Sequence, residues 1–292
     1  MQVKQIQPSE LIINPDGSIY HLHLRPEQIS DTIILVGDPG RVEMVSSFFS
    51  KIEYKISNRE FVTHTGFFNK KRISVLSTGI GTDNIDIVVN ELDALVNIDL
   101  KKREIKNNLS SLTLVRLGTS GSLQRDILVD SFLVSQSSIG FDGLLNYYKY
   151  RNTISNLLFE KSFTKFVNWS PLLPKPYVVD CCPDLLAKLG AGFKKGVTIS
   201  ASGFYGPQGR VLRLPVADAE INDKIEKFSF ENRQITNYEM ESSALYGLSK
   251  LLGHHALTIC VIIANRVSKT YSKDYKPIVK KLAEHTLQKL TE

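Results

Sequence analysis

Apolar residues gather in short, β-branched runs at 32–36 (TIILV), 73–77 (ISVLS), 112–117 (LTLVRL), 131–135 (SFLVS), 196–201 (GVTISA) and 257–264 (LTICVIIA). Runs without polar alternation predict strands covered on both faces, as in a parallel or mixed sheet between helices. Between the runs the period changes. Ile85, Val88, Val89, Leu92, Leu95 and Val96 recur at helical spacing, and Leu245, Leu248 and Leu252 follow an acidic start. Val279, Leu282, Ala283, Leu287 and Leu290 form one face of a terminal helix. Strands alternating with helices predict an α/β protein, whose ligands bind beyond the carboxyl ends of the strands. No repeat or long linker divides 1–292, so one domain is expected. The aromatic- and proline-rich stretch 144–180 reads as an insertion on it.

Composition narrows the function. With 42% hydrophobic and 23% charged residues, the 292-residue chain has the makeup of a soluble globular protein. Its longest apolar runs fall far short of the roughly 20 residues of a membrane span. MQVKQIQPSE carries no apolar leader segment, so the cytoplasm is the expected compartment and no membrane partner is expected. Three cysteines at 181, 182 and 260 offer neither a disulfide framework nor a zinc spacing. A net charge of +6 invites a nucleic-acid reading. The basic residues, however, sit mainly in KKREIK at 101–106 and along the terminal helix, as on a solvated surface, with no nucleic-acid motif beside them. A small anionic substrate is the better use of the arginines.

The polar residues at the strand ends carry the chemistry. After the first run comes Gly37-Asp38-Pro39-Gly40-Arg41. Pro39 suits a first helical turn, whose free amides attract anions, and Arg41 adds charge. The second run ends Ser77-Thr78-Gly79-Ile80-Gly81-Thr82, another turn with amides to offer, and the third holds Arg116 before Gly118-Thr119-Ser120-Gly121. A further arginine lies in Ser57-Asn58-Arg59-Glu60-Phe61. Neither GxxxxGK[ST] nor GxGxxG is present. Three arginines with a hydroxyl-bearing loop suit a free phosphate, whose oxygens match guanidinium forks. Asn237-Tyr238-Glu239-Met240-Glu241-Ser242 places acids at a helix start, where they favour the dipole or accept hydroxyl hydrogen bonds from a sugar.

GDPGR, SNREF, STGIG, LVRLGTSG and NYEMES, in this order, resemble the nucleoside phosphorylase family of the hexameric/dimeric type over about residues 20–290, except near 144–180. The resemblance implies a three-layer α/β/α fold with a central mixed, partly barrel-like β-sheet. It also implies phosphate binding by Gly37, Arg41, Arg59, Arg116 and Thr119, and ribose binding by Met240, Glu241 and Ser120. His21 would reach the sugar 5′-hydroxyl in a neighbouring subunit's site, which implies a homo-oligomer, dimer or hexamer, with shared active sites. Phe204-Tyr205-Gly206-Pro207-Gln208-Gly209-Arg210 resembles the base-binding stretch of the uridine-cleaving members, with a glycine and a proline exchanged. In extended backbone Gln208 and Arg210 would share a face, to bind uracil beside a stacking Phe204. Purine members place an aspartate after the last strand; here the strand ends Ile263-Ala264-Asn265-Arg266, and Arg266 would be a further donor near the base. The loop after Gly81 departs from the bacterial pattern, leaving Glu60, Ile80 and Asn84 as the candidate position for a monovalent cation, K+.

The reaction so implied is uridine plus phosphate to uracil plus ribose 1-phosphate, with phosphate as co-substrate and no organic cofactor. Two other readings stay open: a purine phosphorylase or nucleosidase of the same fold, and a non-catalytic nucleoside-binding protein.

Overall fold

The computed structural model describes residues 5–292. In chain order its strands are β1 (Thr32–Val36), β2 (Lys51–Asn58), β3 (Phe61–Phe68), β4 (Lys71–Ser77), β5 (Ile98–Asp99), β6 (Glu104–Ile105), β7 (Thr113–Ser122), β8 (Phe132–Gly140), β9 (Tyr177–Asp180), β10 (Lys194–Ser200), β11 (Ser229–Phe230), β12 (Arg233–Glu239), β13 (His255–Asn265) and β14 (Thr270–Tyr271). The helices are α1 (Gly40–Ser46), α2 (Thr82–Asn97), α3 (Arg151–Ile154), α4 (Leu157–Phe166), α5 (Pro183–Leu189), α6 (Ile221–Lys227), α7 (Ser242–Leu252) and α8 (Lys276–Thr291).

All six predicted runs are strands of one mixed sheet, ordered β11-β12-β10-β8-β13-β7-β1-β4-β3-β2. An antiparallel pairing of Asn237 and Tyr238 with Ser122 and Gly121 joins β12 back to β7 and closes β7, β13, β8, β10 and β12 into a barrel. β1 lies parallel to both β4 and β7, which puts the carboxyl ends of all three at one edge. There the loops 37–41 and 78–81 converge on residues 118–121 near the end of β7. The strand cores Ile33–Leu35 and Leu114–Val115 are fully buried, as unbroken apolar runs require.

The helices cover the sheet as their apolar faces dictate. α2 buries Ile85, Val88, Val89, Leu92 and Leu95 and packs against α7, which lies on β13 and β8. Among the described residues, no helix is long and apolar enough to cross a membrane.

The stretch 144–180 is more ordered than its sequence predicts. It supplies β9, antiparallel on β8, and α4, whose Phe159 and Phe163 are fully buried in an aromatic cluster with Phe141, Phe228 and Tyr238. Burying each such ring stabilises the fold by roughly 1.5–3 kcal/mol. Leu145 also presses onto α7 at Gly247, where any Cβ would strike its methyls. The segment is therefore part of the packed domain.

Candidate functional site

A cavity of about 700 Å³ opens at the edge where β1, β4 and β7 end. Its first wall is the loop after β1, with Gly37, Asp38, Pro39 and Arg41, facing Gly79, Ile80, Thr119, Ser120 and Arg116. The second is Glu239, Met240 and Glu241 at the start of α7, and the third is Phe204, Gln208, Arg210 and Tyr238. Thus Gly37, Arg41, Arg116, Thr119, Ser120, Met240, Glu241, Phe204, Gln208 and Arg210, far apart in sequence, line one space.

Arg116 leaves β7 into a buried position between two carboxylates. One terminal nitrogen stands 3.2 Å from Glu239 and the other contacts Glu241. Burial opposes the Arg116 charge, but Glu241 and then Glu239 outweigh it and raise its pKa. The pKa of Glu241 is raised too: burial dominates, Arg116 opposes it, and Glu239 adds to the rise. Each terminal nitrogen of Arg116 thus already faces a carboxylate, so a phosphate at this guanidinium would share it with Glu239 and Glu241. What is left over is informative. Arg116 Nε and Ser120 Oγ are buried without a hydrogen-bond partner, an arrangement that costs free energy unless a ligand supplies acceptors.

The loop amides are also partly committed. Asp38 Oδ1 accepts the Gly40 N–H at 2.9 Å, and the Asp38 carbonyl accepts the Arg41 N–H at 3.0 Å. The Gly81 N–H donates to Glu241 Oε1 at 2.8 Å, so the 78–81 turn steadies a carboxylate where a free anion-binding amide was expected. Glu239, read from sequence only as one of the acids at this helix start, caps α7: its carboxylate accepts the Glu241 and Ser242 N–H groups at 3.0 Å and the Ser200 hydroxyl at 2.5 Å. Its spacing of two from Glu241 was the available signal. Tyr238, Tyr271, Ser272 and Tyr275 line the cavity and were also missed, the last with its ring 6.0 Å from the Arg41 guanidinium carbon.

At the third wall the extended backbone expected across Gln208-Gly209-Arg210 is replaced by a turn. Gly206–Gln208 form a short 3-10 helix, and Gly209 follows at φ +66°, in the left-handed region glycine tolerates. The turn still brings the side chains together, because Arg210 donates to Gln208 Oε1 and, at 2.7 Å, to the Phe204 carbonyl. The Arg210 guanidinium carbon lies 3.8 Å from the Phe204 ring centroid. Arg266 does not line the cavity; it donates to the Gln208 carbonyl and sits 5.6 Å from the Tyr238 ring centroid. Among the described residues, neither Arg210 nor Arg266 pairs with a carboxylate. Burial, then the Arg266 charge, pushes the Arg210 pKa down to about 10. Two half-buried cations without counter-ions favour an anion between the loop and β13.

Asn265 ends β13, so this strand closes without an acid, and the side chain is buried and fully engaged. Its Nδ2 donates to the Gln124 and Ile127 carbonyls at 2.9 and 2.8 Å, and its Oδ1 accepts the Val267 and Ser268 N–H groups at 3.0 and 2.9 Å.

Besides Arg266, two more expected residues lie outside this cavity. Arg59 occupies the β2–β3 turn at φ +54°, its guanidinium carbon 5.6 Å from the Tyr20 ring centroid, and it does not join Arg41 and Arg116 within one chain. His21 is bound at its Nδ1 to Glu91 at 2.6 Å, and its carbonyl accepts from Asn58 at 2.8 Å. His21 and Arg59 thus form one patch, held away from the cavity. Beside it, Asn84 Nδ2 donates to Glu60 Oε1 at 3.3 Å, and Ile80 is exposed at the cavity rim.

Comparison with known proteins adds to this geometry. Residues 31–292 match the model of the "Phosphorylase superfamily". The chain is similar to "Uridine phosphorylase" of Thermococcus kodakarensis, with 26% identity over 88% of this chain and 81% of the relative. It is also similar to "Purine nucleoside phosphorylase DeoD-type" of Listeria monocytogenes, with 27% identity over 83% and 85%. A solved Trypanosoma brucei nucleoside phosphorylase, described as showing uridine phosphorylase activity, superposes with a TM-score of 0.84 at 28% identity, covering 96% of this chain and 99% of its own.

Proposed function

Because the chain belongs to the phosphorylase superfamily, we propose that it is a pentosyltransferase cleaving uridine with inorganic phosphate into uracil and ribose 1-phosphate. The observation that carries the pyrimidine assignment is the third wall. Gln208 and Arg210 face the same cavity as Glu241 and Arg116, while Asn265 has no proton to give a purine ring.

The chemistry needs no side-chain nucleophile. The bond between the ribose C1′ and the base nitrogen breaks with its electron pair going to uracil, and a phosphate oxygen forms the new bond to C1′. The Gln208 amide oxygen is held by Arg210, so its NH2 group is left to donate to the base alongside the Arg210 guanidinium. Both stabilise the charge that develops on the leaving uracil, and Arg266 adds positive potential through the turn. Gly37, Arg41, Thr119 and the free Arg116 Nε hold the phosphate. Glu241 and Ser120 receive the ribose hydroxyls against Met240. Each Glu241 oxygen keeps acceptor capacity beyond its one protein partner.

The same proposal makes the active form a homo-oligomer, in which His21 and Arg59 of one subunit complete the cavity of another. Supporting this, the two residues share one patch, and the Glu91 carboxylate accepts a hydrogen bond at His21 Nδ1 and leaves Nε2 for a sugar hydroxyl. Glu60, Ile80 and Asn84 adjoin that patch; carboxylate and amide oxygens suit a hard monovalent cation.

Release of free base from uridine, thymidine, inosine and adenosine, each with and without phosphate, tests the assignment. We expect phosphate-dependent release from uridine well above that from either purine nucleoside. Phosphate-independent release, or a purine preference, would overturn it.

A further inference from the structure

The base wall rests on a side chain outside the cavity. Asn222, the second residue of α6, donates from Nδ2 to the Gln208 carbonyl at 3.2 Å, and its Oδ1 accepts the Tyr238 hydroxyl at 3.1 Å. That carbonyl is the one Arg266 also holds. Gly209 passes so close to the Asn222 amide that a Cβ there would collide with it. Only a side chain that both donates and accepts satisfies the two partners at once. Without it, the buried Tyr238 hydroxyl loses its acceptor and the Gln208 carbonyl loses one of two donors. α6 is itself fixed by the buried Ile225 and by Lys224, which pairs with Asp218 at 2.9 Å. Asn222 is therefore delivered on a firm support to the one turn whose left-handed glycine brings Gln208 and Arg210 together.

We propose that Asn222 is a positioning residue for base recognition: it clamps the 206–210 turn to the cavity-lining Tyr238 and so holds Gln208 and Arg210 in register on the pyrimidine. The proposal rests on the base assignment above, but it concerns a residue that touches no substrate. Its effect is confined to one wall. Phosphate is held at the far side of the cavity by Gly37, Arg41 and Thr119, which share no hydrogen bond with Asn222.

The test compares wild type with N222A and N222D in steady-state phosphorolysis of uridine, varying uridine and phosphate separately. N222D keeps the acceptor for Tyr238 and removes the donor to Gln208. Both variants are expected to lose on the order of tenfold in kcat/KM for uridine, the effect of one misplaced polar contact, while KM for phosphate stays within about twofold. Uracil binding, titrated in the presence of phosphate, should weaken in parallel. Unchanged kcat/KM for uridine in N222D would overturn the donor role. Equal changes in both KM values would show a loosened fold and overturn the positioning claim. A wild type that releases no uracil would overturn the functional reading itself, an outcome separate from either variant result.

Discussion

Asn265→Asp would place an acid at the end of β13, where the sequence resemblance leads one to expect it in a purine-cleaving protein, and the structure predicts that it confers no purine cleavage. The carboxylate keeps an acceptor for the Val267 and Ser268 N–H groups but replaces the NH2 that serves the Gln124 and Ile127 carbonyls at 2.9 and 2.8 Å. The buried Ile127 carbonyl loses its donor, at roughly 1–3 kcal/mol, while the Gln124 carbonyl keeps the Ser122 hydroxyl and the Ile127 N–H. That loss is a sizeable share of the roughly 5–15 kcal/mol typical of a folded domain. Crowded by carbonyl oxygens, the new carboxyl would bind its proton more tightly in the folded than in the unfolded state. The sign follows: the deficit is full above the raised folded pKa and shrinks as pH falls through it. Urea unfolding at pH 7.5 and 5.5 should show a lowered midpoint, less lowered at pH 5.5, and no gain in inosine or adenosine turnover. A variant as stable as wild type, or one that acquires purine turnover, would refute this account of Asn265.

Three further outcomes follow from the same geometry. Arg210→Ala should cut turnover on uridine by on the order of 10²–10³ with the KM for phosphate unchanged, checked by steady-state kinetics. Arg59→Ala and Glu241→Ala should each be nearly inactive, yet mixing them under exchanging conditions should recover about a quarter of wild-type activity. For a two-fold dimer, half the dimers are mixed and one of their two sites is intact. No recovery would count against shared sites. His64 is held below its ordinary pKa of 6.5 mainly by burial, with Lys55 adding and Glu43 opposing. Its stabilisation is present above pH 6.5 and is lost as the unfolded chain protonates first below it. The melting-temperature lead of wild type over His64→Gln should therefore narrow from pH 7.5 to 5.5; a constant lead would contradict the burial argument.

How much of this was legible in sequence depends on where each side chain goes. β1, β4 and β13 could be read because both faces are buried in apolar surroundings. β7 and β8 run on beyond their apolar patterns through GTSGS and QSSIG, since most of those residues are buried in the barrel, where Ser138 bonds across to Ser200 of β10. β2, KIEYKISN, alternates between exposed and half-buried residues on the sheet edge and lacked an apolar run to mark it. β12 was hidden because Thr236, Asn237 and Glu239 are buried polar residues inside the barrel. In the site, most of the expected residues line one cavity, while the local geometry was less legible. Gln208 and Arg210 meet because Gly209 is left-handed, which period-two reasoning could not foresee. The resemblance groups Arg59 with Arg41 and Arg116 around phosphate and assigns His21 to a neighbouring subunit's site. Within one chain Arg59 and His21 lie apart from the cavity, and residues that would meet only between chains leave no periodic trace in a sequence.

The central claim is that phosphate, and not water, takes the ribose from uracil. Phosphorus NMR of the protein incubated with uridine and inorganic phosphate reads the sugar product directly. The account predicts ribose 1-phosphate appearing in step with free uracil, and no uracil when phosphate is omitted. Uracil released with free ribose, or at the same rate without phosphate, would contradict it.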